Sequence, residues 1–175
     1  MGNAVRLQGL AFEEALAWMH QVYLARDRAA VYHMGTVSQY RRGTWIPEQS
    51  LADYMGCIRD LEGRLVAFDA KTLRNGTGKY RHKPAQLHQL DRLGELCRSR
   101  AVVFLLVELQ PALEVFLLPP RLWPYGVGRV WTGSVDVRKR GIPVPVEEGR
   151  VDWLSAVLEN LEEWDRPGVT DGGEG

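Results

Sequence analysis

Two acids and a lysine occur in the sequence at a spacing that suits metal-assisted hydrolysis. Asp69 and Lys71 are two residues apart in an apolar run, so on a strand their side chains project from the same face. Asp53 begins the preceding apolar segment and comes near that face if the two segments pair as strands. Carboxylates bind Mg²⁺, which lowers the pKa of a bound water that can attack phosphorus. A lysine beside the metal orients that water and offsets developing negative charge.

These residue types predict a catalytic site formed by Asp53, Asp69 and Lys71, with the carbonyl of Ala70 as a further metal ligand. Acid–x–lysine pairs are common in soluble chains, and the alternative is an ordinary ion-pair cluster on the surface of a hairpin.

The elements that hold this site are predicted from apolar periodicity and turn residues. The segment 53–71 contains two apolar runs separated by Asp-Leu-Glu-Gly, which predicts a β-hairpin. The remaining predicted elements are helices over 8–26, 84–97 and 153–164, and strands over 29–34, 101–108 and 113–118. We therefore predict one α/β domain over residues 1–165, with a mixed β-sheet covered by helices on both sides. Residues 166–175 are rich in glycine and are predicted to be a disordered tail.

The segment 35–50 has no clean period and is predicted to be a protruding loop between the first two core strands. Long excursions of this kind are typically functional or mobile.

Charge is balanced overall but unevenly distributed. The chain has 22 basic and 22 acidic residues, which argues against a generic nucleic-acid coat protein. Residues 71–100 nevertheless carry eight Lys or Arg against two acids, so a polyanion is expected to dock there. Within this region the glycine-rich segment 74–79, here called the basic loop, lacks the ending and helix of a phosphate-binding P-loop. Four basic residues in and beside this loop are candidates for phosphate contact: Arg74, Lys79, Arg81 and Lys83.

The expected cellular compartment is inferred from membrane-helix, signal-peptide and cysteine patterns. No apolar run approaches the roughly 20 residues of a membrane helix, and the first residues do not form a signal-peptide pattern. Cys57 and Cys97 are far from any metal-binding spacing and are interpreted as reduced, buried thiols. We expect a cytoplasmic protein with no membrane partner.

Several motifs occur in the order found in one known family. They are Gly9 with Phe12-Glu13, Asp53-Tyr54-Met55-Gly56, Ala67-Phe68-Asp69-Ala70-Lys71, Ala85-Gln86-Leu87, Glu114 to Pro119, and Val151-Asp152-Trp153-Leu154. Taken together, over roughly residues 6–160, they resemble the RecU-type Holliday-junction resolvases of the PD-(D/E)xK nuclease superfamily.

The resemblance implies a restriction-endonuclease-like core and a homodimeric endonuclease that cuts two opposed strands of four-way junction DNA. It implies Mg²⁺ as cofactor, with Mn²⁺ as a substitute, and a bacterial or phage-infected cell as the setting. By the same resemblance, Asp53 and Asp69 are metal ligands, Lys71 is the catalytic lysine, Glu13 is a further acid and Gln86 an active-site helper.

The segment 35–50 falls where the family inserts a stalk that enters the junction. Arg41 and Arg42 are then expected to meet phosphates, and Tyr40 or Trp45 to stack on opened bases.

The sequence departs from the family pattern at three points. Asp69 replaces the usual Glu, Met55 stands where Asn is expected, and the excursion is shorter than the family's stalk. Two other functions stay open: an endonuclease of the same superfamily that cuts duplex DNA, and a DNA-binding protein without hydrolytic activity.

Overall fold

A mixed six-stranded β-sheet flanked by helices forms the centre of the protein. The structure, a computed structural model, describes residues 2–35, 37–41, 43–48, 50–74, 76–81, 87–123 and 134–165. Its helices are α1 (Gly2–Ala25), α2 (Leu87–Arg98), α3 (Val137–Arg140), α4 (Trp153–Glu159) and α5 (Glu162–Asp165). Its strands are β1 (Ala29–His33), β2 (Val37–Arg41), β3 (Thr44–Glu48), β4 (Tyr54–Ile58), β5 (Arg64–Leu73), β6 (Lys79–Tyr80), β7 (Val102–Leu109), β8 (Glu114–Leu118), β9 (Val135–Asp136), β10 (Ile142–Val144), β11 (Val146–Glu147) and β12 (Arg150–Val151).

The central sheet has the strand order β1-β4-β5-β7-β8-β10. Its pairs are antiparallel except for β5 and β7, which run parallel because helix α2 carries the chain from one to the other. Every residue of β7 is buried, and this accounts for its continuous apolar sequence. The predicted mixed α/β architecture is confirmed.

Each face of the sheet has its own hydrophobic core. One core joins α1 and α4 to the sheet through residues such as Leu16, Phe68 and Trp153. The other joins α2 to the opposite face through residues such as Ala67 and Leu93. Successive residues of β5 therefore alternate between the two cores, and residue 69 is turned to the α2 side.

The predicted hairpin 53–71 is confirmed as β4 and β5, which pair in antiparallel register with Tyr54 opposite Phe68. The predicted first helix is also confirmed, although it begins earlier, at Gly2. The predicted closing helix is interrupted: α4 ends at Glu159, and the side chain of Asn160 turns back to donate to the carbonyl of Ala156. Cys57 and Cys97 are free thiols, as predicted, but they are only half-buried.

The segment 35–50 contains regular structure, so its prediction as a loop is wrong in that respect. Strands β2 and β3 pair antiparallel as a separate two-stranded sheet. Gly43 has a φ of 81°, a left-handed conformation that lets the chain reverse between the two strands. Because these strands pair with each other rather than with the six-stranded sheet, main-chain hydrogen bonding can form them without the apolar alternation of a core strand.

None of the helices in the described ranges combines the length and the apolar character needed to cross a bilayer.

Gly56 lies where β1 packs closely against β4, and we predict that it tolerates no larger residue. A Cβ atom there would approach the carbonyl oxygen of Ala30 and would lie 2.7 Å from the Cα of Val31. Gly56→Ala should therefore lower the free energy of unfolding, measured by chemical denaturation, by about 1–3 kcal/mol.

Gly94 provides the matched control for this substitution. It lies inside α2, and a Cβ there meets no atom within 4 Å. Gly94→Ala should raise the free energy of unfolding by about 0.5–1 kcal/mol through helix propensity. Equal stabilities for Gly56→Ala and the wild type would contradict the close approach of β1 and β4.

Candidate functional site

Two acids face each other where β4 begins and β5 nears its end. The main-chain N–H of Asp53 donates to Asp69 Oδ1 at 2.8 Å. In return, the main-chain N–H of Ala70 donates to Asp53 Oδ2 at 3.1 Å. Each carboxylate is thus held by the backbone of the other strand. Asp53 and Asp69, here called the acidic pair, are fixed by the same pairing that forms the hairpin.

Lys71 completes this cluster. Its Nζ lies 3.2 Å from Asp53 Oδ2, to which it donates, and 3.2 Å from Asp69 Oδ2. The lysine side chain is only 17% exposed, so little water screens the charges. The three residues that the spacing predicted to share a face do lie together; their catalytic roles stay a prediction.

The electrostatics of the site are dominated by the burial of Asp69, whose side chain is completely buried. Burial raises the pKa of Asp69; the charge of Lys71 opposes this, while the charge of Asp53 adds to it. Among the described residues, Asp69 Oδ2 is the one buried side-chain oxygen or nitrogen without a hydrogen-bond partner, although the ammonium of Lys71 is close. A buried carboxylate oxygen in this state is stabilised by a further cation.

The oxygen atoms at this position fit a hard divalent cation. The N–H and C=O of one strand residue point to the same side, so the carbonyl of Ala70 faces Asp53 as its N–H does. No three Asp, Glu, His or Cys side chains converge within the described part of the chain. Mg²⁺ is commonly held by one or two carboxylates, with water and substrate phosphate completing its shell. The acidic pair and the Ala70 carbonyl are therefore suitable ligands for Mg²⁺.

Glu13 belongs to α1, which packs on the face of the sheet opposite to the one to which Asp69 is turned. It lines an open groove of about 350 Å³ with residues that include His33 and Tyr54. Burial raises the pKa of Tyr54 to about 12, and the negative charges of Glu13 and then Asp53 contribute to the increase. Both carboxylates therefore lie near the Tyr54 phenol. The role of Glu13 as a catalytic acid stays a prediction.

Tyr80 is a site residue that the sequence analysis did not identify. It is 4% exposed on β6, and its pKa is raised by burial and then by the charges of Asp69 and Asp53. Its ring packs in the core on the α2 side of the sheet, the side to which Asp69 is turned. The signal in the sequence was too short to detect, since β6 has only two residues, an exposed Lys79 and the buried Tyr80.

A buried polar group lies one register position beyond Lys71. Glu108 is 5% exposed on β7, opposite Thr72 of β5. Its Oε2 accepts hydrogen bonds from Thr72 Oγ1 at 3.1 Å and from Gln110 Nε2 at 3.0 Å. Burial raises the pKa of Glu108, whereas these two bonds lower it. An acid inside the most apolar run of the chain was the available signal, and the sequence analysis did not use it.

The predicted DNA contacts are described only in part. Arg74, Lys79 and Arg81 are exposed and follow β5 directly. Arg41 and Trp45 occupy β2 and β3, in the register that pairs Tyr40 with Trp45 and Arg41 with Thr44. Their side chains, and the residues Arg42, Lys83 and Gln86, lie outside what the structure describes, as does the predicted tail 166–175.

Comparisons with known proteins relate the chain to one family. The chain is similar to the Holliday junction resolvase RecU of Shouchella clausii (strain KSM-K16), with 27% identity over 123 residues. The similarity covers 63% of this chain and 58% of that protein, so the chain matches less than two thirds of its relative's length. A model of the family described as Recombination protein U matches residues 7–124, a range that includes the acidic pair, Lys71 and the basic loop. Because this match extends over more than half of the sequence, the chain belongs to the Recombination protein U (RecU) family.

Proposed function

We propose that the chain is a divalent-metal-dependent endonuclease that cuts four-way DNA junctions. The observation that carries the proposal is the acidic pair, anchored across two strands with Lys71 between its carboxylates and one Asp69 oxygen left without a hydrogen bond. Family membership supports the choice of substrate, since the relative from Shouchella clausii is named a Holliday junction resolvase. The mixed sheet with helices on both faces is compatible with a restriction-endonuclease-like core.

In this mechanism the acidic pair and the carbonyl of Ala70 hold Mg²⁺, for which Mn²⁺ substitutes. The bound cation supplies positive charge at the phosphate and lowers the pKa of the attacking water. Lys71 keeps its ammonium at the point where the two carboxylates converge, where it orients the water and stabilises negative charge on the phosphate oxygens. Backbone donors to both carboxylates keep this arrangement in place before substrate arrives.

Recognition of the junction is assigned to residues around the site. Exposed Arg74, Lys79 and Arg81 contact backbone phosphates, together with Lys83. The β2–β3 hairpin acts as a short stalk that enters the junction with Arg41, Arg42 and Trp45. Glu13 and Gln86 assist from α1 and from the segment before α2. Two opposed cuts need two active sites, and we therefore propose a homodimer that acts in the cytoplasm.

Removal of the Asp69 charge should abolish cutting. Asp69→Asn keeps the side-chain volume and an oxygen that can accept from the Asp53 N–H, but it deletes the negative charge. We expect cleavage of a synthetic junction in Mg²⁺ to fall at least about 100-fold, while junction affinity in a gel-shift assay stays within about twofold.

Asp60→Asn is the matched control. Asp60 is exposed in the turn between β4 and β5, where it accepts from Arg28 at 2.8 Å, far along the strands from the acidic pair. This variant should cut like the wild type. Unchanged cleavage by Asp69→Asn would remove the proposed active site.

Metal binding should be detectable without DNA. At a Mg²⁺ concentration ten times the dissociation constant, the folded protein should gain about 1.4 kcal/mol, which raises the melting temperature by roughly 3–6 °C. Asp69→Asn should lose this increase, whereas Asp60→Asn should keep it. A wild-type melting temperature that responds to neither Mg²⁺ nor Mn²⁺ would contradict the assignment of the metal ligands.

Selectivity for junctions is tested by comparing two substrates of the same arm sequence. The wild type in Mg²⁺ should cut a four-way junction at least about tenfold faster than linear duplex, a difference of about 1.4 kcal/mol in transition-state free energy. Equal rates would favour a duplex endonuclease, and junction binding without any cutting would favour a non-catalytic binding protein.

A further inference from the structure

A second basic segment lies beside the basic loop, outside the family match of residues 7–124. Strand β9 pairs antiparallel with β6, which places Asp136 opposite Lys79 and Val135 opposite Tyr80. Helix α3 follows β9 without a break and carries Arg138, Lys139 and Arg140 in succession. The pairing thus brings three basic residues from late in the chain to the end of the basic loop.

The main chain fixes the position of α3 against this loop. The N–H of Val137 donates to the carbonyl of Gly78 at 2.8 Å, and the Val137 side chain is completely buried. The carboxylate of Asp136 caps the helix by accepting from the N–H of Lys139 at 3.2 Å. The geometry of α3 therefore does not depend on its exposed side chains.

The side chain of Arg138 is fixed by hydrogen bonds to other parts of the protein. Its Nε donates to Glu114 Oε2 at 2.7 Å, and an Nη donates to the carbonyl of Gly76 at 3.1 Å. The side chain also packs beside Gly78, where a Cβ would lie 3.2 Å from its Nη1. Arg138 thereby ties the basic loop to β8 and is a positioning residue.

Lys139 and Arg140 are exposed and face no strong acidic partner. The Lys139 side chain is 82% exposed, and the carboxylate with which it pairs, Asp136, is 3.9 Å away and already caps the helix. Among the described residues no carboxylate lies within ion-pair distance of Arg140, which is also exposed. A helix of four residues spans only about 6 Å, so both residues stay close to β9, in which Asp136 pairs with Lys79.

This surface adjoins the side of the sheet that carries Asp69. Tyr80, which pairs with Val135 on β9, packs with Val137 of α3 in the core on the α2 side of the sheet, the side to which Asp69 is turned. A polyanion bound at the acidic pair therefore lies on the same side of the sheet as Lys79 and α3. The regularly spaced phosphates of such a polyanion suit a row of exposed basic side chains.

We propose that Lys139 and Arg140 bind backbone phosphates of the same DNA that the acidic pair cuts. The inference rests on the proposed function and extends its DNA surface beyond the family match, from the basic loop to α3. Because these contacts go to phosphates, they add affinity and orientation and carry no base specificity.

The test compares the double variant Lys139→Ala/Arg140→Ala with the wild type on a synthetic junction. Affinity is measured against salt concentration without divalent metal, and cleavage is measured in Mg²⁺ at saturating protein. For each phosphate that the variant no longer binds, the slope of log K against log salt should become shallower by about 0.9, and affinity at about 0.1 M salt should fall roughly tenfold. The cleavage rate at saturation should change by less than about twofold.

Two controls separate the effect of the α3 charges on DNA binding from the effect of removing any two positive charges. Lys139→Arg/Arg140→Lys keeps both charges and should bind with the wild-type slope. Arg26→Ala/Arg59→Ala removes two exposed charges at the opposite end of β4, where Arg59 pairs with Asp27 next to Arg26. This second control should also leave the slope unchanged.

The outcomes distinguish this inference from the proposed function. If the wild type cuts the junction while Lys139→Ala/Arg140→Ala keeps the wild-type slope, the α3 contacts are wrong and the proposed function stands. The same conclusion follows if Arg26→Ala/Arg59→Ala lowers the slope equally, or if the charge-conserving variant binds as weakly as the alanine variant. If the wild type neither binds nor cuts junction DNA, both proposals fall.

Discussion

The charge of Asp69 is buried, and the arrangement of the site follows from the need to stabilise it. A carboxylate without solvent must be paired with positive charge or hydrogen-bond donors. The protein provides one donor from the backbone of Asp53 and one ammonium from Lys71, and it leaves the second oxygen without a hydrogen bond. The backbone donor and the short distance to Lys71 both follow from this one constraint.

The same constraint is met by the short side chain of an aspartate at position 69. The carboxylate reaches the N–H of Asp53 across the strand pair at 2.8 Å, so a short side chain is sufficient. An additional methylene would move this carboxylate further from β5. In this protein, then, the acid is matched to the spacing between β4 and β5, and the backbone defines the separation of the two carboxylates.

Local patterns in the sequence predict the hairpin, the shared face of Asp69 and Lys71, and the sheet that contains them. They succeed because β5 alternates between two cores and β7 is buried on both sides, so that period and composition report the environment directly. They fail where tertiary pairing decides the structure. The hairpin at 37–48 pairs apart from the six-stranded sheet, and β6 with β9 is too short to show a period. Tyr80 and Glu108 were missed for a related reason: Tyr80 pairs with Val135 on β9, and Glu108 accepts one of its two hydrogen bonds from Thr72 on β5.

The hairpin that carries the acidic pair and the α3 surface differ in how far apart their parts lie along the chain. The two acids are joined by a contact between residues 16 apart, whereas the bond from Arg138 to the basic loop joins residues 62 apart. Contacts between near residues close short loops and form with little entropic cost, while distant ones require more of the chain to be ordered first. The acidic pair is therefore brought together by a local contact, whereas the α3 surface depends on distant ones. Substitutions far from the hairpin in sequence can change the α3 surface without altering the acidic pair, so the two features can diverge independently during evolution.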